Sequence, residues 1–283
     1  MKASIITDSA NDLPEEILKK YGIQFAPLSI AFEDKTFLDG VELSREQFYE
    51  RLISSKQIPR TSQPSPKAFY DLMKGALEKG MEAVVITLSS GLSGTYESAL
   101  MARAEFEKKE QERIYIVDSL AASTGQGLLV YEAAKMAQSG KNASEIVEAV
   151  EELKRRLCSI FTVDTFEYLL KGGRVTKVQA FIGTVLDIKP VLHLDSSGRI
   201  VPLEKVRGKR KAASRLLEIM AEQGHDLNKQ TVGVVHAHVP QEAARLAEQI
   251  RTGFNVREVI IGELSASIGT HTGPGCLSVF FYR

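Results

Sequence analysis

Short β-branched runs alternate with segments of helical periodicity through the first half of the chain, and this alternation constrains the fold more than any other feature. The successive pairs are Ser4–Thr7 with Glu15–Tyr21, Phe25–Phe32 with Ser44–Ser54, Ala83–Leu88 with Thr95–Lys108, and Ile114–Val117 with Gly125–Gln138. Strands that alternate with helices form a parallel sheet with the connecting helices packed on it. Because sites on such sheets lie at the carboxyl ends of the strands, we expect functional residues there.

The pattern changes after an amphipathic helix predicted over Asn142–Leu157. Strands predicted at Ile188–Leu194 and Arg199–Val206 are joined by a Ser-Ser-Gly turn, which favours an antiparallel hairpin. Further strands and helices are predicted at Cys158–Val163, Lys209–Glu222, Thr231–His236, Gln241–Arg251, Val256–Gly262 and Cys276–Tyr282. We therefore predict an α/β protein of two domains, a parallel-sheet α/β domain over residues 1–157 and an α+β domain with a largely antiparallel sheet over residues 158–283.

Charge and cysteine content exclude several classes of protein. The 36 basic and 36 acidic residues cancel, so the chain has no overall field to attract nucleic acid or an anionic membrane. Cys158 and Cys276 fit neither a disulfide framework nor a zinc motif. The first residues lack the long apolar core of a secretion signal, and the uncharged stretch Leu264–Tyr282 is interrupted by Gly-Pro-Gly. We expect a cytoplasmic protein with no metal, no nucleic-acid partner and no stable membrane anchor.

The segment Ser89–Thr95 joins a predicted strand directly to a helix and is rich in hydroxyls and glycines. The first N–H groups of a helix lack intrahelical partners, and the helix dipole is positive at that end. Hydroxyls beside such groups can bind an anion, which makes Ser93, Gly94 and Thr95 candidate ligand-binding residues. In the alternative interpretation, Ser93 or Thr95 only caps the helix.

The same residues also resemble the nucleophile elbow of serine hydrolases, G-x-S-x-G, with Thr95 in place of the last glycine. A serine esterase using Ser93 is therefore an alternative function. Its triad would require an acid and a downstream histidine, for which His236, His238 and His271 are available in the sequence.

Two other loops carry candidate polar groups. Arg60–Pro66 contains Thr61 and Ser62 and is stiffened by prolines, although these residues taken alone favour a plain turn with solvated hydroxyls. Ile268–Gly275 is predicted to be a glycine-rich loop around His271, whose imidazole can donate to an oxyanion and ordinarily titrates near neutral pH.

Basic residues cluster locally in the second half. Arg174 follows two glycines, which leaves room for its guanidinium to bind phosphate or carboxylate. A second cluster, Lys205–Lys211, fits a solvated charged face, or else an anion-binding or nucleic-acid module. No aromatic residues interleave this cluster, which disfavours stacking on single-stranded nucleic acid.

Together, these segments resemble the DegV family, bacterial fatty-acid-binding proteins that include the FakB subunit of fatty acid kinase. The matching residues lie along the whole chain and are Thr7-Asp8-Ser9, Thr61-Ser62-Gln63-Pro64-Ser65, Ser89-Ser90-Gly91-Leu92-Ser93-Gly94-Thr95-Tyr96, Gly172-Gly173-Arg174, Lys189-Pro190 and Gly269-Thr270-His271-Thr272-Gly273-Pro274-Gly275. The resemblance implies that one long-chain fatty acid lies in a tunnel between the two domains, with its carboxyl group near their junction.

The resemblance also implies roles for particular residues. Thr61 and Ser93 match the family's carboxylate-binding hydroxyls, and Arg174 and His271 match polar residues beside the head group. Other ligand-binding residues are expected at Ser62, Gly94, Thr95 and Thr272. In the family a separate kinase catalytic subunit converts the bound acid to an acyl phosphate with ATP. The binding protein is then not catalytic and needs no cofactor besides its fatty acid, and Arg174 and Arg207 are expected to contact the kinase.

The acyl tail requires an apolar slot, for which the second half offers several side chains. The candidates are Phe161, Phe166, Phe181, Ile182, Val185, Leu186 and Leu192.

Overall fold

The computed structural model describes residues 2–33, 35–55, 57–175 and 187–283. Its first half contains a four-stranded sheet in the order β2-β1-β6-β7, and each neighbouring pair is parallel. The strands are β1 (Ala3–Asp8), β2 (Gln24–Ala26), β6 (Glu82–Thr87) and β7 (Ile114–Asp118). The predicted parallel α/β layer is therefore confirmed.

Helices cover both faces of this sheet. They are α1 (Glu15–Tyr21), α3 (Pro66–Glu78), α4 (Thr95–Ala104), α5 (Lys108–Gln111), α6 (Thr124–Gln138) and α7 (Ala143–Arg156). Successive side chains of a strand point to opposite faces, so Val85 packs in the same cluster as residues of α3 and α4, while Val84 and Ile86 pack with residues of α6 and α7. Helix α4 ends four residues earlier than predicted, and the Arg103 guanidinium in its last turn donates to the Gln111 carbonyl.

A small antiparallel sheet in the order β4-β3-β5 was not predicted. It consists of β3 (Ser29–Phe32), β4 (Lys35–Leu38) and β5 (Arg60–Ser62), and α2 (Arg45–Ser54) separates its last two strands. The prediction of one strand over Phe25–Phe32 was wrong. Pro27 lacks the N–H that a continuous ladder needs, so β2 and β3 belong to different sheets. The prediction of a loop at Thr61 was also wrong, since this residue pairs with Ile30.

The second half forms a six-stranded sheet in the order β10-β9-β8-β13-β11-β12. Its strands are β8 (Leu157–Thr162), β9 (Ile188–Leu194), β10 (Ile200–Arg207), β11 (Thr231–His236), β12 (Glu258–Glu263) and β13 (Leu277–Tyr282). The helices are α8 (Glu167–Gly172), α9 (Lys209–Gln223), α10 (Pro240–Phe254) and α11 (Ala266–Thr272). Only the pair β11 and β12 is parallel among the pairings of this sheet in the described residues, which agrees with the predicted antiparallel character.

The prediction that Ile268–Gly275 is a loop was wrong in its first half, because α11 extends to Thr272. Gly269 allows this short helix to pack, since a β-carbon there would lie 2.6 Å from the Tyr49 hydroxyl and 2.7 Å from a ring carbon of Phe48. Tyr49 belongs to α2, so this contact joins two parts of the chain that are far apart in sequence.

The two faces of the six-stranded sheet have different neighbours. Along β13, Leu277, Val279 and Phe281 pack in a core with α9 and α10, whereas Phe280 packs in the core that includes the first half. The change from one sheet to the next occurs at Leu157, and the domain boundary between residues 157 and 158 stays a prediction. Among the described helices, none combines the length and apolar character needed to cross a bilayer.

Candidate ligand-binding site

A cavity that is partly open to solvent lies between the carboxyl edge of the parallel sheet and the six-stranded sheet, and the space free of atoms in it, solvent at its opening included, is about 740 Å³. We call it the inner cavity. Leu28, Leu88 and Ala122, which line it, come shortly after β2, β6 and β7. The site therefore lies where parallel strands end, at the edge where functional residues were expected.

Two neighbouring strands of the six-stranded sheet contribute four lining residues that we call the floor: Ser159 and Phe161 of β8, and Ser278 and Phe280 of β13. Ser159 lies opposite Phe280, and Phe161 opposite Ser278, in the antiparallel ladder. Each pair places a small polar side chain beside a ring on the same face of the sheet, so space remains between the rings. This period-two alternation of serine and phenylalanine is a sequence signal for the floor that the sequence analysis did not use, and only Phe161 was named, as one of several apolar side chains.

The other tail-lining predictions have mixed outcomes. Phe166 and Leu192 are not among the described residues that line the inner cavity, and Leu192 is fully buried in the surrounding core. Phe181, Ile182, Val185 and Leu186 lie outside the described residues. The lining leucines of the first half were missed because each follows a strand as a single apolar residue without periodicity of its own.

Four polar side chains from four separate segments line one part of the inner cavity, and we call them the polar wall: Thr61 of β5, Ser93 before α4, Arg174 after α8, and His271 of α11. The Thr61 hydroxyl lies 2.8 Å from His271 Nε2. The Arg174 Nε–H donates to the Leu92 carbonyl at 3.2 Å, which holds the guanidinium beside the Ser93 loop. Thr272 also lines the cavity. The structure thus brings together residues that the sequence separates by up to 210 positions.

The Ser93 hydroxyl does not cap α4. The N-cap residue is Gly94, which has no side-chain capping bond, and Ser93 Oγ lies 2.9 Å from the buried Thr95 Oγ1. The capping interpretation of Ser93 and Thr95 was therefore wrong. A β-carbon at Gly94 would overlap the side-chain amide of Gln63, so this glycine makes room for that amide, and its ligand contact stays a prediction.

Ser62 stands apart from the polar wall despite its position beside Thr61. Its side chain is exposed, and it is not among the described residues that line the inner cavity. Neighbouring residues of a strand point to opposite faces, so Thr61 and Ser62 cannot both face the cavity. The role predicted for Ser62 has no support in this geometry.

Burial and, to a smaller extent, the nearby Arg174 charge together lower the pKa of His271 to about 4. The expectation that this imidazole titrates near neutral pH was wrong, because it lies away from solvent and beside a cation. At pH 7 the ring is neutral, with one nitrogen able to donate and the other to accept. Its Nδ1 is buried and has no hydrogen-bond partner in the described part of the chain.

The first of the two glycines before Arg174 fits closely against this histidine. A β-carbon at Gly172 would overlap His271 Nδ1, and Gly173 adopts the left-handed conformation with φ of 67°. Arg174 then turns back, and its Nη1 donates to the Gly172 carbonyl at 2.6 Å. The Gly-Gly-Arg motif therefore positions both the guanidinium and the imidazole.

A surface pocket, the mouth pocket, opens beside the polar wall. Thr61, Arg174 and His271 line both it and the inner cavity. Arg60 adds positive charge to the mouth pocket alone, where Lys171 also lies, paired with Glu167 at 2.7 Å. The polar wall is thus accessible from outside as well as from the inner cavity. Arg207 is exposed and is not among the described residues that line either space, so its partner role stays a prediction.

Two buried aspartates that the sequence analysis missed hold the start of α11. Asp12 accepts from the Ser265 N–H at 2.9 Å, and Asp39 accepts from the N–H groups of Ala266 and Ser267 at 3.2 and 3.0 Å. Burial raises the pKa of Asp12 to about 6, against the opposing effect of Arg45. No local signal marks these carboxylates, because their partners lie more than 200 residues away along the chain.

The geometry does not favour the esterase alternative. A serine nucleophile needs a hydrogen-bonded base that a third group orients. Ser93 is hydrogen-bonded to Thr95 and His271 to Thr61, while the free Nδ1 of His271 meets no carboxylate in the described part of the chain.

In the basic cluster Lys205–Lys211, Lys209 pairs with Asp164 at 3.5 Å. Among the described residues, no group of three or more His, Cys, Asp or Glu side chains could hold a metal ion.

Comparison with known proteins gives concordant matches over the full length. A family described as "Uncharacterised protein, DegV family" matches residues 2–283. A Thermotoga maritima protein named fatty acid-binding protein is 35% identical over 280 residues, which cover 97% of this chain and 96% of that protein.

Solved structures agree with these matches. A DegV family protein from Thermus thermophilus, described as binding fatty acid, superposes with a TM-score of 0.92 at 31% identity and covers 100% of both chains. A DegV family protein from Ruminococcus gnavus, refined with vaccenic acid, has a TM-score of 0.90 at 25% identity and covers 98% of this chain and 99% of that one.

Proposed function

Because the chain belongs to the DegV family, we propose that it binds one long-chain fatty acid in the inner cavity and presents the carboxylate to a separate ATP-dependent kinase subunit in the cytoplasm. The kinase subunit forms the acyl phosphate, and this protein acts without catalysing a step itself. The observation that carries the proposal is an apolar cavity that meets hydroxyls, an imidazole and a guanidinium from four segments at one wall.

The two hydroxyls of the polar wall are suited to bind a carboxylate. A hydroxyl has one proton, so it donates to a ligand only when its other contact donates to it. In the tautomer with a proton on Nε2, His271 donates to Thr61, and the Thr61 proton is available for the ligand. Thr95 can likewise donate to Ser93. Arg174 supplies the positive charge that an otherwise unpaired buried carboxylate requires.

The acyl tail and the carboxylate of the ligand contribute unequally to the binding free energy. Each methylene removed from water contributes roughly 0.8 kcal/mol, so a tail of about fifteen carbons contributes on the order of 12 kcal/mol before ordering costs. A hydrogen bond to a charged group contributes only about 1.5–3 kcal/mol. The tail therefore determines affinity, and the polar wall determines where the carboxylate lies.

The mouth pocket gives the kinase a route to the carboxylate. Arg60 and Arg174 give it positive charge, which suits the phosphate groups of ATP during transfer, and Lys171, which pairs with Glu167 at 2.7 Å, also lines it. In this proposal the ligand lies between the 1–157 and 158–283 domains, and Arg174 and Arg207 contact the kinase. The role of Arg174 is supported by its position between the two spaces, whereas that of Arg207 rests on the family resemblance alone.

Native mass spectrometry tests the proposal. Protein stripped of lipid and offered palmitate, stearate or oleate should gain the mass of one fatty acid, and addition of a fatty acid kinase catalytic subunit with ATP should yield acyl phosphate. The corresponding alcohols, which lack the carboxylate, serve as controls for head-group recognition. Protein that takes up no fatty acid contradicts the binding role, and lipid-loaded protein that yields no acyl phosphate contradicts the presenting role.

A further inference from the structure

A second surface pocket meets the inner cavity away from the polar wall. This outer pocket has about 1060 Å³ of open space and shares Ser159 and Leu194 with the inner cavity. Among the described residues, none lines both this pocket and the mouth pocket. The inner cavity therefore adjoins two different surface pockets, the charged mouth pocket and one that is reached past Ser159 and Leu194.

The backbone does not close the boundary between the inner cavity and the outer pocket. The β8–β9 ladder ends at the pair Ile160 and His193, and Ser159 and Leu194 lie one residue beyond it. Beyond the last ladder pair, side chains rather than a hydrogen-bonded pair of strands separate the inner cavity from the outer pocket. Ser159 is a small residue, so Leu194, which is half-buried, provides most of that separation.

One part of the outer pocket suits the methyl end of an acyl chain. Leu120, Leu157, Ile160 and Leu203 supply apolar lining there, and the rest of the pocket is lined by polar side chains that include Arg155, His193, Asp195, Gln223 and Arg283. The cation Lys154 is already engaged, since its ammonium donates to the Asp118 carbonyl at 2.9 Å and pairs with Glu151 at 2.7 Å.

We propose that Leu194 determines the longest acyl chain that the protein accepts, by closing the inner cavity against the outer pocket. The inference rests on the proposed fatty-acid-binding function and adds a specificity-determining residue to it. When the carboxylate lies at the polar wall, a chain that fills the inner cavity ends at Leu194. A longer chain must displace this side chain to bury its last carbons in the outer pocket.

Truncation of Leu194 should shift selectivity toward longer chains. The experiment loads wild type and Leu194→Ala from an equimolar mixture of saturated acids with 16, 18, 20 and 22 carbons and measures bound masses by native mass spectrometry. Each newly buried methylene is worth about fourfold in affinity, so a two-carbon step is worth about fifteenfold. We expect the preferred acid of Leu194→Ala to be at least one two-carbon step longer than that of wild type.

Leu203→Ala is the matched control, because Leu203 lines the outer pocket but not the inner cavity and is 41% exposed. It should keep the wild-type distribution. Leu194→Val is a milder truncation and should shift selectivity toward longer chains by a smaller amount. It replaces Leu194→Ala in the test if Leu194→Ala does not fold. If wild type loads acids, and Leu194→Ala and Leu194→Val bind the same distribution of chain lengths as wild type, the role of Leu194 is overturned. An equal shift of that distribution in Leu203→Ala would overturn it as well. Wild type that loads no acid overturns the proposed function itself.

Discussion

The polar wall and the floor of the inner cavity are built in opposite ways. The floor comes from two neighbouring strands whose ladder sets Ser159 beside Phe280 and Phe161 beside Ser278. The polar wall comes from four segments that meet only in the folded protein. This difference suggests that the floor tolerates changes of sequence that conserve volume, whereas the polar wall depends on distant supports.

The two regions also differ in their electrostatics. The floor carries only aromatic rings and hydroxyls, while the polar wall holds a guanidinium near an imidazole whose pKa burial lowers to about 4. Changes to the floor should therefore alter lipid affinity. Changes to the polar wall should alter what happens to the carboxylate after binding.

The largest expected effect comes from filling the floor with Ser278→Phe. The added ring occupies the space of about six methylenes of the acyl tail. Because each methylene that is no longer buried costs roughly 0.8 kcal/mol, fatty-acid affinity should fall by a thousandfold or more. Isothermal titration with palmitate measures this loss. Ser62→Phe, at an exposed position outside the described cavity lining, is the control and should bind normally. Unchanged affinity in a folded Ser278→Phe would mean that the tail lies elsewhere.

The next effect is expected from Thr61→Ala combined with Ser93→Ala in the polar wall. Loss of two hydrogen bonds to a charged group, about 1.5–3 kcal/mol each, should reduce acyl-phosphate formation by at least about a hundredfold while the tail still loads the protein with lipid. The assay compares kinase-dependent product with lipid bound, and Ser62→Ala is the matched hydroxyl control. Equal loss of loading and product would show that head and tail do not have the separate roles assigned to them.

A smaller effect is expected from Gly172→Ala. The new methyl group would overlap His271 Nδ1 and push the imidazole away from Thr61, so we expect about a tenfold loss of acyl-phosphate formation with lipid loading preserved. Gly75→Ala is the control, because a β-carbon there meets nothing within 4 Å in helix α3. A wild-type rate in Gly172→Ala would argue against positioning of His271 by this contact.

The smallest effect concerns Asp12, which supports the polar wall through α11. Its pKa of about 6 lies above the 3.8 of an exposed aspartate, so the native state binds more protons than the unfolded chain between these values, and the contribution to stability falls as pH rises. From pH 5 to 7.5 the wild type should lose about 1 kcal/mol through this group.

Asp12→Asn cannot titrate at this position. We expect the free energy of unfolding of Asp12→Asn, measured with urea at pH 5 and at pH 7.5, to rise by about 1 kcal/mol relative to that of wild type between these two pH values. A constant difference between variant and wild type would mean that Asp12 remains ionised throughout this range.

What could be predicted from the sequence followed from local patterns. Alternating strands and helices identified the parallel sheet, and hydroxyl-rich and glycine-rich segments identified Thr61, Ser93, Arg174 and His271, which line one cavity. The break at Pro27 in the strand predicted over Phe25–Phe32 could also have been predicted, because proline interrupts a ladder, but it was overlooked.

The remaining features depend on contacts between distant segments. The helical state of α11 depends on Tyr49 and on the carboxylates of Asp12 and Asp39, and no window of sequence contains these partners. The lowered pKa of His271 likewise follows from burial and from Arg174, which lies 97 residues earlier in the chain. Ser62 was included because it neighbours Thr61, although strand geometry turns it outward.

A crystal structure with a fatty acid brominated at its methyl end tests the central claim most directly, because it locates both ends of the ligand at once. The account predicts carboxylate oxygens within hydrogen-bonding distance of Thr61 Oγ1 and Ser93 Oγ, and an anomalous bromine peak inside the cavity near the floor or at Leu194. A carboxylate bound away from the polar wall, or a bromine peak in the mouth pocket, would contradict it.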